Sequence, residues 1–170
     1  EITDYNTQAD KNNSSNIFNL GSGKLVNKEG VNWRHNHIGE LAADNFPVVH
    51  VSFDDAMAYV QWLSNSTNKI YRLPSESEWE FALRANSETV YPWGKKLQEV
   101  RGGNLSGTVD TMPNKRKWGN ALPNYADGFW GLAPVRQYAA ERFGTFDMQG
   151  NVSEWVEDCW HDNYRRAPAN

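Results

Sequence analysis

Phe143-Gly144-Thr145-Phe146-Asp147-Met148-Gln149-Gly150-Asn151-Val152-Ser153-Glu154-Trp155-Val156 is the stretch on which the reading of this chain turns. It lies where helical and strand periodicity has faded, which happens from Val90 onward. Tyr91-Pro92-Trp93-Gly94, Gly102-Gly103-Asn104, Asn124-Tyr125-Ala126-Asp127-Gly128 and Gly150-Asn151 are turn chemistry in the same half. A long run with so few helix or strand signals argues against a compact domain unless something else holds the loops. Aromatic rings and a bound metal are the available candidates. Asp147, Gly150 and Glu154 fall within eight residues, and the Gly150-Asn151 turn lets backbone carbonyls converge. Two readings stay open: an oxygen-rich cation site, or turns capped by Asp147 and Asn151 beside a solvated Glu154.

Working outward, the chain has 170 residues and 19.4 kDa, room for one domain. Mean hydropathy is −0.76 and apolar runs are only a few residues long, which excludes a membrane-spanning helix. The net charge is −4 with no basic block, so no nucleic-acid footprint is present. Eight tryptophans, seven tyrosines and seven phenylalanines are many for this length. Each large ring can bury roughly 150–250 Å², enough to anchor a loop-rich fold. One cysteine, Cys159, excludes an internal disulfide framework and a cysteine-based zinc cluster. Glu1-Ile2-Thr3-Asp4 has neither the basic nor the apolar part of a signal peptide.

Residues 1–30 are polar and rich in asparagine, which predicts a surface strap or disorder. Pro47-Val48-Val49-His50-Val51 reads as a short strand. Ser52 and Asp55 have the spacing of a capping box, followed by Ala56, Tyr59, Val60 and Leu63 on one helical face. This helix is expected to end near 65–68. Ser75 and Glu78 form a second box before a helix carrying Trp79, Ala82 and Leu83. Glu76, Glu78 and Glu80 read as capping and solvation near the positive end of the helix dipole.

Four segments in order carry a resemblance: Pro47 to Ala56; Tyr71-Arg72-Leu73-Pro74-Ser75-Glu76-Ser77-Glu78-Trp79-Glu80-Phe81-Ala82; Tyr91-Pro92-Trp93-Gly94; and Phe143 to Val156. Over roughly residues 31–168 the chain resembles the formylglycine-generating enzyme, or sulfatase-modifying-factor, family. The resemblance implies an α+β, C-type-lectin-like fold with two helices, a small antiparallel sheet and long calcium-ordered loops. It places a domain at 31–170, incomplete at its C-terminal end, after the polar segment 1–30. It also implies two structural calcium sites. The first maps onto the side chains of Asn104 and Asp127 and the carbonyls of Leu105 and Phe129. The second maps onto the side chains of Asp147 and Glu154 and the carbonyls of Gly150 and Val152. Calcium takes about six to eight oxygen ligands, many of them backbone carbonyls, and so suits loops that lack a ladder.

Active members of the family bind copper(I) through two cysteines near their C-terminal end, a soft-ligand site. They use it to convert a substrate cysteine to formylglycine. Cys159 lies upstream of where that pair would fall. At Ser153 the sulfatase-activating members carry tryptophan, which lines the substrate groove.

The remaining constellations are weaker. Cys159 is ringed by Glu157, Asp158 and Asp162, the wrong electrostatic setting for a reactive thiolate. His35 and His37 supply two ligands at most. His50 reads as a satisfied core histidine. Asn12, Asn65 and Asn104 begin glycosylation-type triplets, a pattern too short to carry weight. No phosphate loop or serine elbow appears. The expected function is therefore a calcium-stabilised, non-catalytic module that binds a protein or peptide. The alternative is the front part of a copper-dependent formylglycine-generating oxidase, and a weaker third is a ligand-binding lectin-type domain. Unpaired strand edges predict association with another chain, a second copy or a further segment. A calcium requirement leans the compartment toward periplasmic or secreted.

Overall fold

The computed structural model describes residues 3–89, 102–110 and 119–160. Among these the order is α1 (Gln8–Asn12), β1 (Ser14–Asn19), β2 (Lys24–Glu29), α2 (Phe53–Thr67) and α3 (Glu76–Arg84). Helices and a two-stranded antiparallel sheet make this an α+β chain. Long loops fill the rest. The Tyr91–Gly94 segment lies outside the described residues.

Both predicted capping boxes form. Asp55 Oδ2 accepts from the Ser52 amide at 2.8 Å, and Ser52 Oγ accepts from the Asp55 amide at 3.2 Å. Helix α2 then stops at Asn68, whose left-handed φ of 54° ends the turn. Ser75 and Glu78 repeat the arrangement at α3, which ends at Ala85 with φ 44°. Glu78 also takes a two-pronged contact from Arg72, with Nη1 on Oε2 at 2.6 Å and Nη2 on Oε1 at 2.5 Å. The Arg72 hydrogen bonds, helped by the Ser75 amide, pull the Glu78 carboxyl down to about 2. Glu80 pairs with Arg84 one turn on.

The N-terminal segment departs from expectation. Instead of a strap or disorder, residues 8–29 form α1 and the β1–β2 hairpin. Thr7 and Asp10 supply a third capping box, and Asn13 takes a left-handed φ of 49° to turn α1 into β1. Asparagine tolerates that conformation better than most residues, so the polar run encodes turns as well as solvation. Asp55 fixes this segment to α2. Its carboxylate, 5% exposed, accepts from Tyr5 Oη at 2.8 Å and from the Gln8 amide at 3.0 Å. Burial by itself raises this carboxyl, but the hydrogen bonds from Ser52, Tyr5 and Gln8 outweigh it and hold it low.

One further expectation fails. Residues 47–51 are not a strand, because His50 sits at φ 63° and breaks the extended run. Its ring is nonetheless satisfied, by Ser15 Oγ at 3.0 Å and the Asn36 carbonyl at 2.9 Å. On the apolar face of α2, Ala56, Val60 and Leu63 are half-buried and Tyr59 is 58% exposed, and Asp55 is the one buried residue of the helix. Among the described residues the buried apolar side chains are Ala9, Ile17, Val31, Ala85, Tyr125 and Ala133. They are mostly small and mostly outside α2 and α3. Rings do the longer-range joining: Trp130 meets Phe18 and His37, and Trp155 meets Phe53 edge-on at 6.0 Å.

Candidate functional site

The predicted metal ligands lie on three loops. The first loop carries Asn104 and Leu105, the second Asp127 and Phe129, the third Asp147 to Glu154. The first and third are bound together along their backbones. Asn104 forms a parallel bridge with Gly150, and its carbonyl accepts from the Asn151 amide at 2.9 Å. The approach is so close that a Cβ at Gly150 would overlap the Asn104 carbonyl oxygen, and one at Gly103 would overlap that of Gln149. Glycine at 150 is required twice over, since its φ is also 88°.

Asp127 gathers the first predicted set. It is 5% exposed; Oδ2 accepts from the Leu105 amide at 2.7 Å and Oδ1 from the Phe129 amide at 2.8 Å. Leu105 and Phe129 thus meet at this carboxylate through their amides. Sequence reasoning missed Asp110, whose Oδ2 accepts from the Asp127 amide at 2.6 Å and the Gly128 amide at 3.1 Å. An aspartate facing a turn seventeen residues later leaves no local signature.

The second set is only partly assembled. Asp147 sits at φ 58°, with Oδ2 accepting from the Arg136 amide at 2.6 Å. Its Oδ1 is buried and has no hydrogen-bond partner. The Gly150 carbonyl accepts from the Val152 amide at 2.8 Å. Glu154 is exposed, and its carboxylate is taken by the Trp79 indole of α3. Asp147 and Glu154 are therefore held by different partners. No group of three or more His, Cys, Asp or Glu side chains converges on a metal position among the described residues.

A buried carboxylate oxygen with nothing to offset it is costly. Two more buried orphans accompany it: Asn104 Nδ2 and the Tyr138 hydroxyl. Burial pushes the Tyr138 phenol up to about 12, and the charges of Asp127 and Asp147 add to the effect. The donors available here are carboxylate, amide, hydroxyl and carbonyl oxygens, the chemistry a hard cation takes. These residues fit calcium. Copper is different: it needs a thiolate pair, and this chain has Cys159 alone, exposed and next to Asp158. His161 and Asp162 lie outside the described residues.

Among the described residues the histidines do not converge on a metal position. His35 Nδ1 faces Asn32, while His37 packs against Trp130 with both ring nitrogens buried and unpartnered. Burial, followed by the nearby His50, lowers the His37 pKa.

Comparison with known proteins gives the family. The model of the sulfatase-modifying factor enzyme 1-like domain matches residues 2–169, so the segment before residue 31 belongs to the domain as well. The formylglycine-generating enzyme of Mus musculus is 35% identical over 139 residues, 78% of this chain and 33% of that protein. The inactive C-alpha-formylglycine-generating enzyme 2 of Bos taurus is 40% identical over 117 residues, 65% of this chain and 32% of that protein. The structure of PvdO from Pseudomonas aeruginosa superposes with a TM-score of 0.60 at 32% identity, covering 78% of this chain and 46% of that one. The chain thus spans about a third of the length of the first two relatives and under half of the third. With a domain match along nearly its whole length, the chain belongs to the sulfatase-modifying-factor, or formylglycine-generating enzyme, family.

Proposed function

We propose that this chain is a calcium-ordered module of lectin-like fold that binds a protein or peptide and does no redox chemistry with its own residues. The observation that carries the calcium part is the buried, unpartnered Asp147 Oδ1, with Asn104 Nδ2 and the Tyr138 hydroxyl also buried and unpartnered. Asn104, Leu105, Asp127 and Phe129 would hold one ion; Asp147, Gly150, Val152 and Glu154 would hold the other. When bound, calcium supplies charge and fixes loops; it takes no part in electron transfer. Glu154 would have to give up the Trp79 indole to join the second set. The binding part is supported by exposed Ser153, where sulfatase-activating members carry tryptophan, and by Trp155 and Trp160, 48% and 78% exposed. Exposed rings of this size favour contact with another chain. The test is thermal melting of chelator-treated protein during calcium titration. A rise of several degrees, saturating with calcium and absent with magnesium, is expected. An unchanged melting temperature overturns the reading.

A second reading is favoured by the 35% identity to the mouse formylglycine-generating enzyme and by the third of that protein's length the chain covers. On this reading the residues form the front of a copper-dependent oxidase whose thiolate pair lies on further chain. Extending the gene product downstream, then measuring copper(I) binding and oxygen uptake with a cysteine peptide, separates the two.

A further inference from the structure

The two cation sets are described above as separate, yet three features of the structure join them. Asn104 of the first set and Gly150 of the second are partners in one parallel bridge, locked by the Asn151 amide on the Asn104 carbonyl. The glycines at 103 and 150 let the two loops approach closer than any side chain would allow. Tyr138 follows two residues after Arg136, whose amide donates to Asp147 Oδ2 at 2.6 Å. Its buried hydroxyl has no hydrogen-bond partner, and neither does the buried Asn104 Nδ2 of the first set or the buried Asp147 Oδ1 of the second. The Asn104 amide approaches the phenol, and the carboxylates of both Asp127 and Asp147 act on it electrostatically. One buried hydroxyl is thus within electrostatic reach of ligands of both sets.

Resting on the calcium reading, we propose that the two sites fill as one coupled unit and that Tyr138 is the positioning residue that joins them. Filling either site fixes its own loop. Because Asn104 and Gly150 share a bridge, much of the second loop's ordering cost is met at the same time. A cation on Asp147 draws that carboxylate into one orientation, which settles where the Tyr138 hydroxyl donates. The hydroxyl in turn selects the orientation of the Asn104 amide, whose oxygen the first site needs. Coupling between sites typically amounts to about a 5–150-fold change in affinity, and it is reciprocal.

The experiment is a cycle read by isothermal calcium titration of the full chain, with melting curves as a folding control. Asp147→Asn weakens the second site; Glu154→Gln does the same from a solvent-facing residue should the first variant fold poorly. In the wild-type background either change is expected to lower calcium affinity at the remaining site about five-fold or more. In the Tyr138→Phe background, which keeps the ring and removes the hydroxyl, the same change is expected to leave that affinity within a factor of about two. A remaining site that ignores Asp147→Asn and Glu154→Gln overturns the coupling, though calcium binding itself stands. Coupling that survives Tyr138→Phe overturns the role of Tyr138. Absence of any calcium uptake by the wild type overturns the calcium reading instead, and the inference with it.

Discussion

Replacing Asp55 by alanine tests whether one carboxylate fastens the N-terminal segment to α2. Four donors converge on it: Tyr5 Oη at 2.8 Å, the Gln8 amide at 3.0 Å, and the Ser52 amide and hydroxyl at 2.8 Å each. The Tyr5 and Ser52 hydroxyls can turn to water. The two amides are fixed by α1 and by the α2 cap, and each costs about 1–3 kcal/mol if left unsatisfied. The expected loss is about 2–6 kcal/mol, a large part of the roughly 5–15 kcal/mol that holds a domain together. Asp54→Ala, at the exposed neighbouring position, should change stability by under about 0.5 kcal/mol. Tyr5→Phe removes one donor and should cost about 0.5–1.5 kcal/mol. Urea unfolding at pH 7 measures all three, and hydrogen exchange at the Gln8 amide reports whether the N-terminal segment opens first. The pH dependence has a fixed sign. The folded carboxyl is held below its unfolded value, so its contribution is complete above that value, about 3.9, and is lost as pH falls through the folded one. If Asp55→Ala and Asp54→Ala cost the same, the carboxylate does not fasten the two parts.

Gly150→Ala should destabilise by more than about 3 kcal/mol, combining left-handed strain with overlap on the Asn104 carbonyl, whereas Gly144→Ala, equally left-handed at φ 80° but in open space, should cost only about 1 kcal/mol; denaturant midpoints compare the two. His37 is buried neutral with its pKa lowered, so the unfolded chain binds its proton more readily. Stability should therefore fall as pH drops below the unfolded value of about 6.5, and His37→Phe should flatten that part of the profile in melting curves. A Cβ at residue 131 would press on the same ring, so Gly131→Ala should lower the melting temperature by several degrees.

Much of the fold was legible wherever the signal was local. Ser52 with Asp55 and Ser75 with Glu78 sit three residues apart, and both boxes close as spaced. Glu80 and Arg84 meet across one helical turn. The failures came where a distant group decided the outcome. Val48 to Val51 has strand composition, but the ring of His50 reaches Ser15 and Asn36, and the backbone bends to let it. Tyr59 has the position of a core residue, yet it is 58% exposed while Ala56, Val60 and Leu63 on the same face are half-buried, so the periodicity is real and the burial only partial among the described residues. Of the candidate site, Asp127 was named through the family resemblance in the order of motifs, and Asp147 through that resemblance and its spacing to Gly150 and Glu154. Asp110 and Tyr138 were not, because each acts across loops with no fixed spacing to its partners.

The long loops need some substitute for a ladder, and the stretch that opened the reading supplies it by contacts of a different kind. Asn151 binds the backbone of Ala133 in both directions, accepting from its amide at 3.0 Å and donating to its carbonyl at 3.2 Å, as a neighbouring strand would. Trp155 Nε1 donates to the Val51 carbonyl at 3.2 Å, ahead of α2. The Glu157 amide donates to the Pro74 carbonyl at 2.8 Å, and Asp158 accepts from the Glu76 amide at 2.7 Å, filling an open donor in the first turn of α3. Within eight residues the chain thus ties loop 133, loop 104 and the starts of both long helices to one another. Each tie is a backbone group matched to one side chain or one amide, so the stretch tolerates little change even with most of its surface open to water. Cations at Asp147 and Asp127 would add to these ties, fixing the loops around the carboxylates that the framework draws inside and neutralising their charge.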